Sequence, residues 1–223
     1  MPPPRSFIAE RVSLVLYEDP LSPWCLVAEQ RIRAAIDESL DPFGPLLIEP
    51  FPLRPEPKAP SLTERRALAR AARRAAKEPE AARTTPDLWL SADPPLTTLP
   101  VHTALYAARL QGAVREDALR DAIREAGLVR GINVTRADVL YELAEGAGLD
   151  VARFAGALCA PTTERRVRET FEEALDRGID VAPALVIGDE WLVAGPRTAD
   201  EYRAVLRRYA AARLGVPQLR TVH

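Results

Sequence analysis

At 223 residues the chain is long enough for one large domain or a domain with a substantial insertion, and either can bury a sizeable core. Thirty Lys and Arg against thirty-two Asp and Glu leave a formal net charge of -2, which excludes a global field drawing the protein to nucleic acid or to an anionic membrane. Two cysteines exclude a disulfide framework, no stretch has the length of a bilayer span, and the N-terminal MPPPRSFIAERVSLVLYEDP lacks a signal peptide's long apolar run and cleavage site, so a reduced, cytoplasmic, soluble protein is expected.

In chain order, Val12 to Tyr17 is a β-branched and apolar run suited to a strand buried on both faces. From Pro23 onward Cys25, Ala28, Ile32, Ala35, Ile36 and Leu40 recur at helical spacing, with Glu29, Arg31 and Arg33 on the other side, so Cys25 belongs to the inward face. Leu46 to Leu53 reads as a second strand, and Pro50 and Pro52 suit an edge position or a strand that ends there. A proline-rich exit, RPEPKAP, leads into a stretch from about Ser61 to Ala160 that is helical in pattern and broken by proline and glycine clusters. The Ala/Arg-rich RRALARAARRAAKEPEAAR within it reads as a solvated helix face, because no interleaved aromatics accompany the basic residues.

After Pro161, TERRVRETFEEALDRG predicts an amphipathic helix ending at Gly178. Ala182-Pro183 then opens ALVIG, and EWLVAG follows across a Gly188-Asp189 turn, which predicts a hairpin. Thr198 with Glu201 three residues on is a capping-box signature for a last helix running to about Leu214.

Between the first strand and first helix stands LSPWC, residues 21 to 25. Ser22 before Pro23 is a favoured pair for a helix start: the hydroxyl can accept from a free backbone N–H, and proline has none to leave unsatisfied. Glu18 and Asp19 read as solvated loop residues, Cys159 as a packed thiol, and His102 as packed, at the surface or lining a cleft; His223 ends the chain. No metal-ligand cluster or phosphate loop is apparent.

The run from Asp19 to Cys25 (DPLSPWC), the helical block inside a strand-helix-strand frame, and VAPALVIGDEWLVAG from Val181 to Gly195 together resemble the DsbA-like thioredoxin-fold proteins, particularly their FrnE-type members, whose site reads C-P-W-C. The resemblance spans nearly the whole chain. It implies an α/β thioredoxin-like fold with a large inserted α-helical domain: residues 1–60 and 161–223 as the thioredoxin-like part and 61–160 as the insertion. It also implies that the first site cysteine attacks and the second resolves. Here Ser22 holds the first position, and a hydroxyl can neither form a disulfide nor carry electrons, so ordinary dithiol exchange is excluded and any redox chemistry falls to Cys25 alone.

The same motif is similar to the S-P-Y-S of kappa-class glutathione transferases and 2-hydroxychromene-2-carboxylate isomerases, which implies Ser22 as the group that stabilises a bound thiolate, with Trp24 and Cys25 on the next positions. Pro183 matches the family's cis-proline, whose preceding residue, here Ala182, pairs with an extended ligand. Arg197 is a candidate for a ligand carboxylate, although Gly195-Pro196-Arg197-Thr198 lacks the G-S-D-R of the kappa class. The candidate site is therefore Ser22 and Cys25 as catalytic groups, with Pro23, Trp24, Ala182, Pro183 and Arg197 as binding groups. The expected partner is a thiol-containing small molecule, an extended peptide or a protein, with no nucleic acid and no membrane. The expected cofactor is none, or glutathione; a non-catalytic binding or scaffold protein is the remaining alternative.

Overall fold

The computed structural model describes residues 11–37 and 42–213. Leu40, Leu214 and His223, named above, lie outside them. Strand β1 (Val12–Glu18) puts Val12, Leu14 and Leu16 at 1% exposure or less. Helix α1 (Pro23–Asp37) then crosses over, so that strand β2 (Phe43–Pro50) can run parallel to β1. The predicted second strand was Leu46 to Leu53; the observed one starts at Phe43 and ends at Pro50. Its limit is set by β1, because Glu18 pairs with Pro50 and the Phe51 amide donates to the Glu18 carbonyl at 2.9 Å. The strand is an edge, as its prolines require, since proline has no N–H for a second neighbour.

Helices follow: α2 (Leu62–Ala75), α3 (Asp87–Leu90), α4 (Leu99–Arg109), α5 (Ala113–Arg124), which continues through a π-helical turn at Glu125–Val129, then α6 (Ala137–Gly146), α7 (Val151–Cys159) and α8 (Pro161–Asp176). Ser61 caps α2 reciprocally: its hydroxyl accepts from the Glu64 amide at 3.2 Å, and the Glu64 carboxylate accepts from the Ser61 amide at 2.7 Å. The arginines of α2 lie mostly in solvent, as its composition suggests.

The hairpin consists of β3 (Ala184–Ile187) and β4 (Trp191–Ala194). Its turn carries positive φ at both Gly188 and Asp189. A Cβ at residue 188 would stand 1.8 Å from the Tyr209 hydroxyl, so glycine serves both the turn and the close packing. Thr198 and Glu201 form the expected box at the start of α9 (Ala199–Arg213), with the Thr198 amide donating to Glu201 at 2.7 Å and the Glu201 amide to Thr198 at 3.2 Å.

The sheet order is β2-β1-β3-β4, with β3 antiparallel to both of its neighbours. Leu14, Leu16, Leu185 and Ile187 pack on one face against Ile32 of α1 and Tyr202 and Leu206 of α9. Tyr17, Phe51 and Val186 pack on the other, under Ala174 and Phe171 of α8. A separate core joins Val101, Leu119, Ile123, Leu140 and Phe154 of the helices, and Leu21 from the loop after β1 inserts into it. Truncating Phe154 to alanine there costs about 3–5 kcal/mol. The loop between β1 and α1 is thus gripped from both sides.

Candidate functional site

The chain turns from β1 into α1 through Asp19, Pro20 and Leu21, and Asp19 holds the turn. Its Oδ1 accepts from the Leu21 amide at 2.9 Å, its carbonyl from the Ser22 amide at 2.9 Å, and its Oδ2 from the Leu53 amide beyond β2 at 2.8 Å. His102 Nε2 of α4 lies 3.8 Å from that same Oδ2. Burial raises the Asp19 carboxyl, but the imidazole, the Thr98 hydroxyl and the Leu53 amide outweigh it and hold the group below its ordinary value. Glu18 and Asp19 are each 1% exposed, which corrects the expectation of solvated loop acids.

Ser22 follows immediately before α1, and its carbonyl accepts from the Cys25 and Leu26 amides at 3.0 and 3.3 Å. Pro23 opens the helix without an orphan N–H. The half-buried Ser22 hydroxyl therefore stands in the positive end of the helix field. The Ala182–Pro183 peptide is cis, as the family resemblance implied, and the Pro183 carbonyl accepts from the Gly195 amide at 2.8 Å.

A cavity of about 320 Å³ opens here, and Ser22, Pro23, Trp24, Ala182 and Pro183 all line it. Two other sequence candidates do not. Arg197 is exposed and off the wall; Gly195 and Pro196 line the cavity instead, while the Arg197 carbonyl accepts from Arg31 Nη1 at 3.2 Å. The structure therefore does not bring Arg197 to the cavity that the other candidates share. Cys25 is 0% exposed and accepts the Asp19 amide at 3.4 Å on its sulfur. Burial pushes its thiol far up and the neighbouring Glu18 adds to this, against the Asp19 amide and the Ser22 hydroxyl, which hydrogen-bond to the sulfur. The expected redox chemistry through Cys25 alone would need its thiolate, which this setting disfavours.

Cys159, expected to be packed, is exposed at the end of α7 and has its sulfur 3.7 Å from the Tyr141 hydroxyl. Both cysteines are free. His102 is packed, at 3% exposure. Among the described residues no group of three or more His, Cys, Asp or Glu side chains is arranged to hold a metal ion, and no helix is long and apolar enough to cross a membrane.

Under the site lies an ion network that the sequence reading missed. Arg124 of α5 reaches Glu18 of β1 at 2.5 Å and Glu29 of α1 at 2.6 Å, while Arg120 reaches Glu18 at 3.3 Å and Glu116 at 2.6 Å. Burial raises the Glu18 carboxyl despite Arg124, whereas Arg124 outweighs burial at Glu29 and holds that group low. Glu18 and Arg124 are 106 positions apart, so no local spacing signals the pair. The sequence reading also missed the cavity's helical wall, Leu68 and Ala71 of α2 and Trp89 of α3; its trace is Leu68 within the arginine-rich α2 and the apolar run Leu88 to Leu90.

The mixed sheet with α1 aimed at a cis-proline loop, together with the packed helices between β2 and β3, defines a thioredoxin-like oxidoreductase scaffold. The family model described as DSBA-like thioredoxin domain matches residues 13–207, and the chain belongs to that family. The chain is similar in structure to a presumptive protein disulfide isomerase from Nitrosomonas europaea, with a TM-score of 0.74, 22% identity, and coverage of 91% of this chain and 99% of the other. It is also similar to the cytosolic disulfide reductase DsbM from Pseudomonas aeruginosa with GSH, with a TM-score of 0.65, 20% identity, and coverage of 89% and 98%. At those identities the likeness shows the fold. Among curated proteins the ClpXP adapter protein SpxH of Halalkalibacterium halodurans is 30% identical over 100 residues, 45% of this chain; the match spans only 32% of that relative's length.

Proposed function

We propose that this member of the family carries out no dithiol exchange and instead binds a thiol compound, or an extended peptide bearing one, with the sulfur at Ser22. The observation that carries the reading is the cavity itself: the Ser22 hydroxyl and the Ala182-Pro183 loop share one wall system, while Cys25 is sealed beneath it. A hydroxyl at a helix N-terminus donates to a bound sulfur, and the helix field favours the anion. The thiol proton leaves to solvent and the thiolate remains. Burial of Cys25 argues against even monothiol redox activity through that residue.

The P. aeruginosa relative with GSH makes glutathione the first probe, and the cytosolic description of that relative, with the two free cysteines here, supports a cytoplasmic setting. The same proposal treats residues 61–160 as an insertion in a thioredoxin-like frame. A second reading is a glutathione-dependent transferase or isomerase of kappa type, favoured by the apolar room beside Ser22. Titration of the full chain with glutathione and with simple thiols, wild type against Ser22→Ala, tests the function. Binding with growth of thiolate absorbance, lost in Ser22→Ala, is the expected result. Turnover of an electrophile by the bound thiol would favour the transferase. Absence of binding by any thiol would leave a scaffold protein in which Ser22 only starts a helix.

A further inference from the structure

The walls of the cavity also say which thiol fits, and this step rests on the thiol-binding reading above. At about 320 Å³ the space is at the small end of the range for small-molecule sites. Its polar side chains are Asp19, Ser22, Arg54 and Thr98, and each makes contacts within the protein. Asp19 accepts from the Leu21 and Leu53 amides. Arg54 Nη2 donates to the Lys58 carbonyl at 2.6 Å and Nη1 lies 3.6 Å from Glu64, while its buried Nε has no partner among the described residues. Thr98 Oγ1 accepts from the Arg54 amide at 3.4 Å. Ser22 is hydrogen-bonded to the Cys25 sulfur beneath it, but burial keeps that thiol protonated, so its S–H can donate to the Ser22 oxygen and leave the hydroxyl's one donor for a ligand.

The remaining side chains of the lining are apolar or aromatic and include two of the chain's three tryptophans, Trp24 from α1 and Trp89 from α3, together with Leu68 and Ala71 from α2. Glutathione would bring two carboxylates, an ammonium and two amides into this space; the Arg54 Nε offers a partner to one carboxylate at most, and the polar groups left buried without partners weaken binding. An aromatic ring loses nothing there and gains burial.

We propose that the cavity takes a small arylalkyl thiol in preference to glutathione, with the sulfur at Ser22 and the ring against Trp24, Leu68 and Trp89. The test is calorimetric titration of the full chain with three probes: phenylmethanethiol, its sulfur-free counterpart ethylbenzene, and glutathione. Phenylmethanethiol is expected to bind about tenfold or more tightly than glutathione. Ala71→Phe, which fills the space from the half-buried face of α2, is expected to weaken phenylmethanethiol by a similar factor; Leu68→Ser, a change at a second half-buried position, is expected to weaken it in the same sense. Circular dichroism establishes that each variant is folded.

Ser22→Ala separates the two levels of the argument. It should abolish the advantage of phenylmethanethiol over ethylbenzene and leave ethylbenzene binding unchanged. If that advantage survives Ser22→Ala while both cavity variants still block the ring, the role of Ser22 falls and the apolar selectivity stands. If glutathione binds as tightly as phenylmethanethiol, or if neither folded cavity variant affects the aromatic probes, the selectivity is overturned and the thiol-binding function is judged on Ser22→Ala alone. Absence of binding by all three probes overturns both.

Discussion

Removing Arg124 tests whether the buried ion network holds the site's two sides together. Its guanidinium joins Glu18 of β1 and Glu29 of α1 at 2.5 and 2.6 Å, with Arg124 at 6%, Glu18 at 1% and Glu29 at 5% exposure. Arg124→Met keeps an unbranched apolar stem but removes the guanidinium from both carboxylates. Glu29 retains Arg33 at 2.7 Å, but that partner's side chain is 44% exposed, and Glu18 retains Arg120 at 3.3 Å. Breaking a buried pair by deleting one partner costs about 3–5 kcal/mol, and the retained cations place the loss near the lower end, about 3 kcal/mol. With a urea m-value of about 2–3 kcal/mol/M, the unfolding midpoint should fall by about 1–1.5 M.

The pH dependence follows from the same geometry. Burial already raises Glu18 in the folded protein, and losing Arg124 raises it further. Between the unfolded carboxyl pKa of about 4.3 and the raised folded value, the folded state holds the proton and the unfolded state does not, so stability falls as pH rises through that window. The deficit of Arg124→Met should therefore be smaller at low pH than at high pH, and adding Glu18→Gln should restore part of it. Urea unfolding followed by circular dichroism at two pH values reads both effects. A deficit under about 1 kcal/mol at the higher pH, or one independent of pH, would refute the reasoning.

Three further outcomes are expected. Ser22→Cys should turn on insulin reduction from a wild-type background near zero, because the new thiol stands at the α1 N-terminus opposite the Ala182-Pro183 loop; a folded variant with no exchange would mean that the loop and helix end no longer admit a substrate disulfide. A chromogenic disulfide should label exposed Cys159 in the native protein and buried Cys25 only after unfolding, so Cys159→Ser should abolish native labelling. Asp19→Asn should cost about 1.5–3 kcal/mol at neutral pH, since it weakens charge-assisted acceptance from the Leu21 and Leu53 amides. The Asp19 carboxyl is lowered in the folded state, so its contribution is present above about pH 3.9 and disappears as pH falls through the folded value; the stabilities of wild type and variant should converge in acid.

Elements whose cause is local were legible in the sequence. The inward face of α1, the Thr198–Glu201 cap and the hairpin turn at Gly188-Asp189 depend on neighbours a few positions away, and each appears where its pattern puts it. Residues whose environment is made by distant chain were misread. Glu18 and Asp19 look like loop acids until α4 and α5 bring His102, Arg120 and Arg124 over them. Cys159 looks like a core thiol, yet α7 buries little beyond Phe154 and ends in solvent. The family resemblance supplied the cis peptide at Ala182–Pro183 and the pairing of that loop with Ser22, which no periodicity in this chain encodes.

The acid misread at position 18 bears on the chemistry of the site. A resolving thiol must ionise or be protonated in step with its partner, and Cys25 lies in a setting that opposes its thiolate: complete burial, with the Glu18 carboxylate nearby. With sulfur at position 22, a mixed disulfide would give this buried thiol something to attack. With oxygen there, no protein–ligand disulfide can form at that position for Cys25 to resolve, and the burial that keeps the thiol protonated also keeps it from outside oxidants. On the proposed function, oxygen in place of sulfur at residue 22 leaves a helix end beside an apolar cavity to hold a ligand thiol, with Cys25 buried beneath it.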